Sequence, residues 1–265
     1  MRRLFAFFLR DFRIARSYSL NFVLLGVASG MSLVTLYFLS RALGDSPAFR
    51  AATGTSDYFS FALVGVSVAT ALRAVQTSFS SRLREAQTDG SLEVLLSAPL
   101  STFQVVASLA VYPVVLSVVA EAGVLGVGAL LGARLSVNFV GLVVTTLLSF
   151  AAFMPLGLLS AAYTLVFKRG DPFSFVVDAL SYLFSGVLYP VAVLPPLFQL
   201  GAQILPATHA LAALRKALLE DAPFSAFLRP WGALALTASV LWPLALLALS
   251  AARRHVERAG TLPQA

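Results

Sequence analysis

The chain has 265 residues, 58% of them hydrophobic and only 12% charged. A soluble domain carries about 25% charged residues, so lipid must be the solvent for most of this one, and its mean hydropathy of +0.86 agrees. The net charge of +7 reads as topology signals beside membrane spans rather than a nucleic-acid surface, and the absence of cysteine excludes disulfides, thiolate zinc sites and a cysteine nucleophile.

The first element, residues 1–18, reads as an amphipathic helix. At 100° per residue, Phe5, Phe8, Leu9 and Phe12 fall on one side. Arg2, Arg3, Arg10 and Arg13 fall on the other. Such a helix lies in the membrane interface with its arginines toward anionic headgroups, or serves as a plain positive-inside anchor. The apolar run from Leu20 to Leu39 is too long for the core of a cleaved signal peptide, so the first span is expected to be retained.

Six spans follow, at 20–40, 57–77, 103–132, 138–167, 172–193 and 230–251, in one transmembrane domain covering 1–265. Runs of roughly 20 apolar residues match the bilayer core. The predicted class is all-α and polytopic. Pro113, Pro155 and Pro243 fall inside spans, where neighbouring helices can re-satisfy the freed backbone groups. With the N-terminus inside, thirteen of the 19 Lys and Arg residues fall on the inner side and six on the outer. Both termini are then cytoplasmic, and so is the connection between spans two and three.

That connection, 81–99, interrupts the apolar pattern. Ser81 to Gln87 reads as a helical continuation of span two, and Asp89-Gly90 as a break. Ser91 can cap a new short helix, with Glu93 in its first turn favoured by the helix dipole. Leu92, Leu95 and Leu96 share a face, and Pro99 ends the helix. The product is either a docking element for another protein or a hairpin connection packed on its own bundle.

Two acids fall inside spans. The ten Val and Leu residues from Val114 to Leu131 outweigh the cost of Glu121: they contribute on the order of −3 to −6 kcal/mol to insertion, against roughly +3 for one central acid. Glu121 and Asp178 are candidates for substrate passage or gating, or for hydrogen bonds that hold helices together. "GVASG" (Gly26–Gly30) and "GALLG" (Gly128–Gly132) match the close-packing G-x-x-x-G pattern. Before the last span, residues 194–229 are apolar but broken by Pro195, Pro196, Pro206 and Pro223, which fits short re-entrant or interfacial helices on the outer face.

A P-loop requires a lysine in a glycine-rich loop. The only lysines, Lys168 and Lys216, are not so placed. His209 and His255 stand far apart, so a metal site is not expected. Nothing in the sequence supports catalysis by this chain alone.

The stretch "REAQTDGSLEVLLSAPLS" resembles the type-2 ATP-binding-cassette (ABC) permease signature, E-x-x-x-G-T-L-E-x-L-L-x-x-P. Glu85, Gly90, Leu92, Glu93, Leu95, Leu96 and Pro99 carry the match. Ser91 replaces the usual Thr, and four residues rather than three separate Glu85 from Gly90. "SGVLYPVAVLPPLFQLGAQILPATHALAALR" resembles the same family's late motif at Ser185, Gly186, Pro190, Leu194, Pro195, Pro206 and Arg215. The resemblance implies a homodimeric exporter permease of the inner membrane, with two copies of a separate ATPase beneath it. Residues Ser91–Ala98 would form its coupling helix and the N-terminal helix its connecting helix. ATP and magnesium would belong to the partner, with no cofactor on this chain and no nucleic acid involved. The implied substrate is lipophilic or amphipathic: a drug, lipid or lipid-linked glycan. An ion-gradient-driven secondary transporter using Glu121 or Asp178, and a non-transporting scaffold, are the alternative readings.

Overall fold

A computed structural model describes residues 19–43, 49, 57–91, 101–167, 171–220 and 222–259. Among them every regular element is helical: α1 (Ser19–Leu43), α2 (Tyr58–Thr88), α3 (Thr102–Leu130), α4 (Phe139–Phe167), α5 (Pro172–Phe184), α6 (Pro196–Ile204), α7 (Pro206–Leu219) and α8 (Leu228–Ala259). Short 3-10 turns occupy Val191–Val193 and Phe224–Phe227. By length and composition, four described helices can cross a membrane: α2, α3, α4 and α8, the last with its preceding turn. The bent pair α6–α7 makes up to five.

The predicted span 172–193 is a helix only over Pro172–Phe184. Thirteen residues reach roughly 20 Å, short of the ~30 Å hydrocarbon core. Gly186, at φ 81°, turns the chain out of the helix. Even so, α5 and its following turn run from beside α2's Gln76, whose side chain donates to Ser174 O (3.3 Å), to Val187 at the far end of α2. The broken helices expected after it are present, with α6 and α7 meeting at Leu205–Pro206 at 86°.

The bundle is built around α2 and α4. α2 packs antiparallel to α3: Leu83 and Phe79 cluster with Val105, Val106 and Leu109 at one end, while Leu63 fills the space beside Gly128 at the other. The Gly128–Gly132 pattern is therefore used within the chain, with Gly132 in the turn after α3 at φ 103°. α8 lies along α4, and α7 wedges between α2, α4 and α8.

One proline site shows how the bundle manages its backbone. Pro155 lies inside α4 and cannot donate to the carbonyl of Ala151, four residues back. The indole Nε1 of Trp242, on α8, donates to that same carbonyl at 3.0 Å. A group orphaned in lipid is thus paired by the neighbouring helix. Trp242→Phe removes the donor and leaves the carbonyl unpaired, at about 1–3 kcal/mol. In Pro155→Ala the backbone can pair it again, so the double variant should lose less than the sum of the singles. Thermal unfolding of the detergent-solubilised protein measures the coupling.

Candidate functional site

The charged end of the bundle collects the C-terminal ends of α2, α4 and α8 and the N-terminal ends of α3 and α5. There Arg253 of α8 donates to Thr102 Oγ1 of α3 at 3.1 Å. Arg82, Arg84, Arg253 and Arg254 lie at this end, and Arg134 and Arg215 at the other, which reproduces the separation of basic residues expected from the sequence. α2 continues well beyond its predicted apolar limit, to Thr88, as the charged sequence of Ser81 to Gln87 suggests. It closes where expected: Asp89 N–H donates to Glu85 O (2.9 Å), and Gly90 takes φ 68°. Ser91 Oγ donates back to Ala86 O at 3.5 Å.

Within the coupling motif, Glu85 pairs with Arg82 across one helical turn at 2.7 Å and is mostly exposed. Leu92, Glu93, Leu95, Leu96 and Pro99 lie outside the described residues, as do Arg3, Phe5, Phe8, Arg10, Phe12 and Arg13. The chain reappears at Ser101, whose hydroxyl accepts from Gln104 N–H (3.2 Å) while Gln104 Oε1 accepts from Ser101 N–H (3.0 Å). This capping box was overlooked in the sequence reading, although Ser101 and Gln104 have the right spacing. Residues 92–100 therefore join two ended, antiparallel helices at the charged end.

The outer-face motif comes together as a clasp at the opposite end. Ser185 ends α5, with its N–H on Ser181 O (3.0 Å), and Gly186 makes the turn. The carbonyl of the next residue, Val187, accepts from Arg215 Nη2 at 2.9 Å. The same nitrogen donates to Phe61 O (3.3 Å), and the guanidinium lies over the Phe61 ring at 3.5 Å from its centroid. Gly65 makes this approach feasible, because a Cβ there would meet Arg215 Nη2 at 2.6 Å and collide with the Val187 carbonyl. Pro190 precedes the Val191–Val193 turn, Pro195 precedes α6, and Pro206 starts α7, which brings Arg215 back onto α2.

Between the two ends lies a polar seam that the sequence reading did not identify. On α2, Thr70, Arg73, Thr77, Ser80, Arg84 and Thr88 recur every three or four residues and share one face. They cover roughly 27 Å of helix, close to the depth of the hydrocarbon core. Along α5, Asp171, Ser174, Asp178, Ser181 and Ser185 recur in the same way. The two rows meet. Asp178 Oδ2 lies 3.3 Å from Arg73 Nε, with the Arg73 side chain 64% exposed and that of Asp178 25%. Arg73 lies midway along α2, because the helix continues past residue 77 to Thr88.

A cavity of about 460 Å³ opens between the rows on the charged-end side of this pair. A smaller one of about 60 Å³ lies on the other side, and Arg73 and Asp178 line both. Glu121 stands elsewhere, in a cavity of about 180 Å³ between α1, α2 and α3 that also holds Ser67 and Thr70. The structure does not bring Glu121 and Asp178 into one cavity.

Asp171 anchors the seam at its charged end. Its carboxylate accepts from Ser160 Oγ of α4 and from Ser174 N–H (3.0 Å), capping α5. Burial pushes the Asp171 carboxyl up, but hydrogen bonds from Ser160, from the backbone and hydroxyl of Ser174, and from Ser80 outweigh it and hold the carboxyl below its ordinary value. The described residues contain no cluster of acids and histidines able to hold a metal.

Described residues whose regular elements are all helical, with four or five apolar helices of crossing length among them, mark an integral membrane protein. A family model described as ABC-2 type transporter matches residues 3–219. The chain belongs to that family and is a type-2 ABC transporter permease, a transmembrane component of a kind that is generally non-catalytic and typically pairs with an ATPase subunit. No curated protein matches the chain.

The lowered pKa of Asp171 carries a pH dependence with a definite sign. Its contribution to stability is fully present above the ordinary carboxylate value and is lost as pH falls through the lower, folded-state value. Asp171→Asn should therefore unfold at lower temperature than the wild type at pH 7. The gap should narrow on acidification below the usual carboxylate range, as thermal scans across pH would record.

Proposed function

We propose that this chain is the membrane subunit of an ATP-driven exporter of the inner membrane, acting as a homodimer above two copies of a separate ATPase. The observation that carries the reading is that α2 and α3, capped and antiparallel, end side by side at the arginine-rich end. The sequence between them spaces Leu92, Leu95 and Leu96 at the intervals of one helical face. On this reading that end is cytoplasmic, Ser91–Ala98 is the coupling helix, and residues 1–18 form the interfacial connecting helix. α1, α2, α3, α4, the short α5 with its turn, and α8 make six crossings, so both termini are cytoplasmic. α6 and α7 form a re-entrant pair on the outer face. ATP and magnesium are held by the partner ATPase. The substrate is lipophilic or amphipathic, and Asp178 and Glu121 belong to its path or gate.

Replacing Leu92, Leu95 and Leu96 together with Asp should abolish co-purification of the ATPase while leaving membrane insertion intact. Undiminished association in that triple variant would remove the docking role.

A second reading, transport driven by an ion gradient, is favoured by one observation: Glu121 faces a cavity with two hydroxyl side chains, Ser67 and Thr70. In vesicles the two readings separate. ATP-driven export persists with a protonophore and fails without the ATPase, whereas gradient-driven transport does the reverse. Glu121→Gln should alter transport kinetics under either mechanism, and unchanged kinetics for every substrate tried would leave Glu121 a structural group.

A further inference from the structure

The Arg73–Asp178 pair is unusual in three ways that bear on what the seam can bind. It lies within two facing polar rows rather than at a helix end. It is the shared boundary of two cavities, one of which, at about 460 Å³, is within the size range of small-molecule sites. And it is not sealed: the arginine side chain is 64% exposed while the aspartate is 25% exposed, so the pair can part without the protein unpacking. Just beyond it, Ser181 Oγ is buried without a hydrogen-bond partner and lines the smaller cavity.

The chemistry of parting such a pair is selective. A ligand carrying only a negative charge can take Arg73, but it leaves Asp178 without its counter-ion in a low-dielectric seam. A purely cationic ligand takes Asp178 and leaves Arg73 without its partner. The larger penalty falls on Asp178, the more buried of the two, when it loses its counter-ion. A ligand with an anion and a cation a few bonds apart replaces both partners at once: its phosphate or carboxylate meets the guanidinium, and its ammonium meets the carboxylate. No charge is then left alone, and the guanidinium can donate to two oxygens at once in its fork geometry. The flank of the seam supplies the rest of an amphiphile's surroundings. Phe175, one turn before Asp178, lines the larger cavity and is exposed, an apolar surface beside the charged pair.

We propose that the α2–α5 seam is a binding site for the head of a zwitterionic amphiphile, with Arg73 taking its anionic group and Asp178 its cationic group. The assignment rests on the reading of this chain as a transport subunit for amphipathic molecules, and it narrows that substrate class to one with internally balanced charge. Asp171, at the mouth, is committed to Ser160 and Ser174 and takes no part in the exchange.

The test is a binding measurement on the purified full chain in an uncharged detergent, which needs no ATPase. Three single-chain amphiphiles of equal tail length are compared by native mass spectrometry and thermal shift: lysophosphatidylethanolamine, lysophosphatidic acid and an alkyl trimethylammonium. Wild type should bind the zwitterion at least tenfold more tightly than either singly charged probe. Asp178→Asn should shift the preference to lysophosphatidic acid, and Arg73→Gln should shift it to the ammonium. The exchanged variant Arg73→Asp/Asp178→Arg, which keeps a pair, should restore preference for the zwitterion and shows that the single variants did not simply unfold. Equal binding of all three probes by wild type, or an unchanged order of preference in both single variants, overturns the proposal. If the chain binds the zwitterion but never recruits an ATPase, the site stands and the exporter reading falls. If the ATPase binds normally while the order of preference ignores the pair, only the site falls.

Discussion

A membrane helix with an arginine at its midpoint cannot turn that face to hydrocarbon. A charged side chain there costs several kcal/mol unless another protein group or water meets it. On α2 the problem extends along the helix, because hydroxyls and guanidiniums recur on one face from Thr70 to Thr88. The rest of the architecture follows from that constraint. α3 and α4 pack on α2's apolar faces through Leu83, Val75 and Val68. α5, the shortest of the helices between the two ends, is left to cover the polar one. It does so with a matching row of acids and serines, and contributes only Ser174 to the buried interior.

Contacts between α2 and α5 recur along the seam. Near the charged end, Gln76 Nε2 reaches Ser174 O at 3.3 Å. In the middle stands the Arg73–Asp178 pair. At the far end Arg215 joins the Phe61 carbonyl of α2 to the Val187 carbonyl that follows α5. The ion pair is open enough to exchange its partners for water or ligand, whereas the Arg215–Val187 clasp lies in the packed interior. From its middle to the charged end the interface is held mainly by directional groups, while α2–α3 and α4–α8 are held chiefly by packed side chains. If two elements of this chain separate during a working cycle, the hydrogen-bonded seam is where the cost of separation is lowest.

Much of this was legible in the sequence, and what was missed has identifiable causes. The ends of α3 and α4 were marked by apolar runs meeting Gly132, Ser101 and Arg134, so they fall within a few residues of expectation. The turn at Asp89–Gly90 was legible because glycine and aspartate there have few other uses. α5 was drawn too long because Val187, Leu188, Val191 and Val193 are as apolar as a helix interior. Hydropathy cannot see the backbone reversal that Gly186 permits, although Pro190 and Pro195 mark its consequences. The polar seam was missed for a different reason: averaging over a span hides a stripe. Thr70 and Thr77 are mild on a hydropathy scale, and Arg73 looked like the end of the lipid-facing segment rather than its middle. Only the three-to-four-residue spacing, read on α2 and α5 together, would have exposed it.

Helix composition also decides how a push at the charged end would travel. α3, α4 and α8 each contain an internal proline, at Pro113, Pro155 and Pro243. α2 contains none through 31 residues. Proline removes a backbone hydrogen bond and is the usual place for a helix to bend. α2 is therefore the longest proline-free helix among the described residues, and it runs from Phe61 near one end through Arg73 at its middle to Glu85, with Gly90 just beyond. A displacement delivered beside Gly90 would be carried by an unbroken hydrogen-bond ladder to the ion pair and on to the Arg215 clasp. The same displacement applied to α3 could be absorbed at Pro113. On mechanical grounds, then, the helix that leads into the 89–101 connection, not the one that follows it, is suited to transmit a force to the seam.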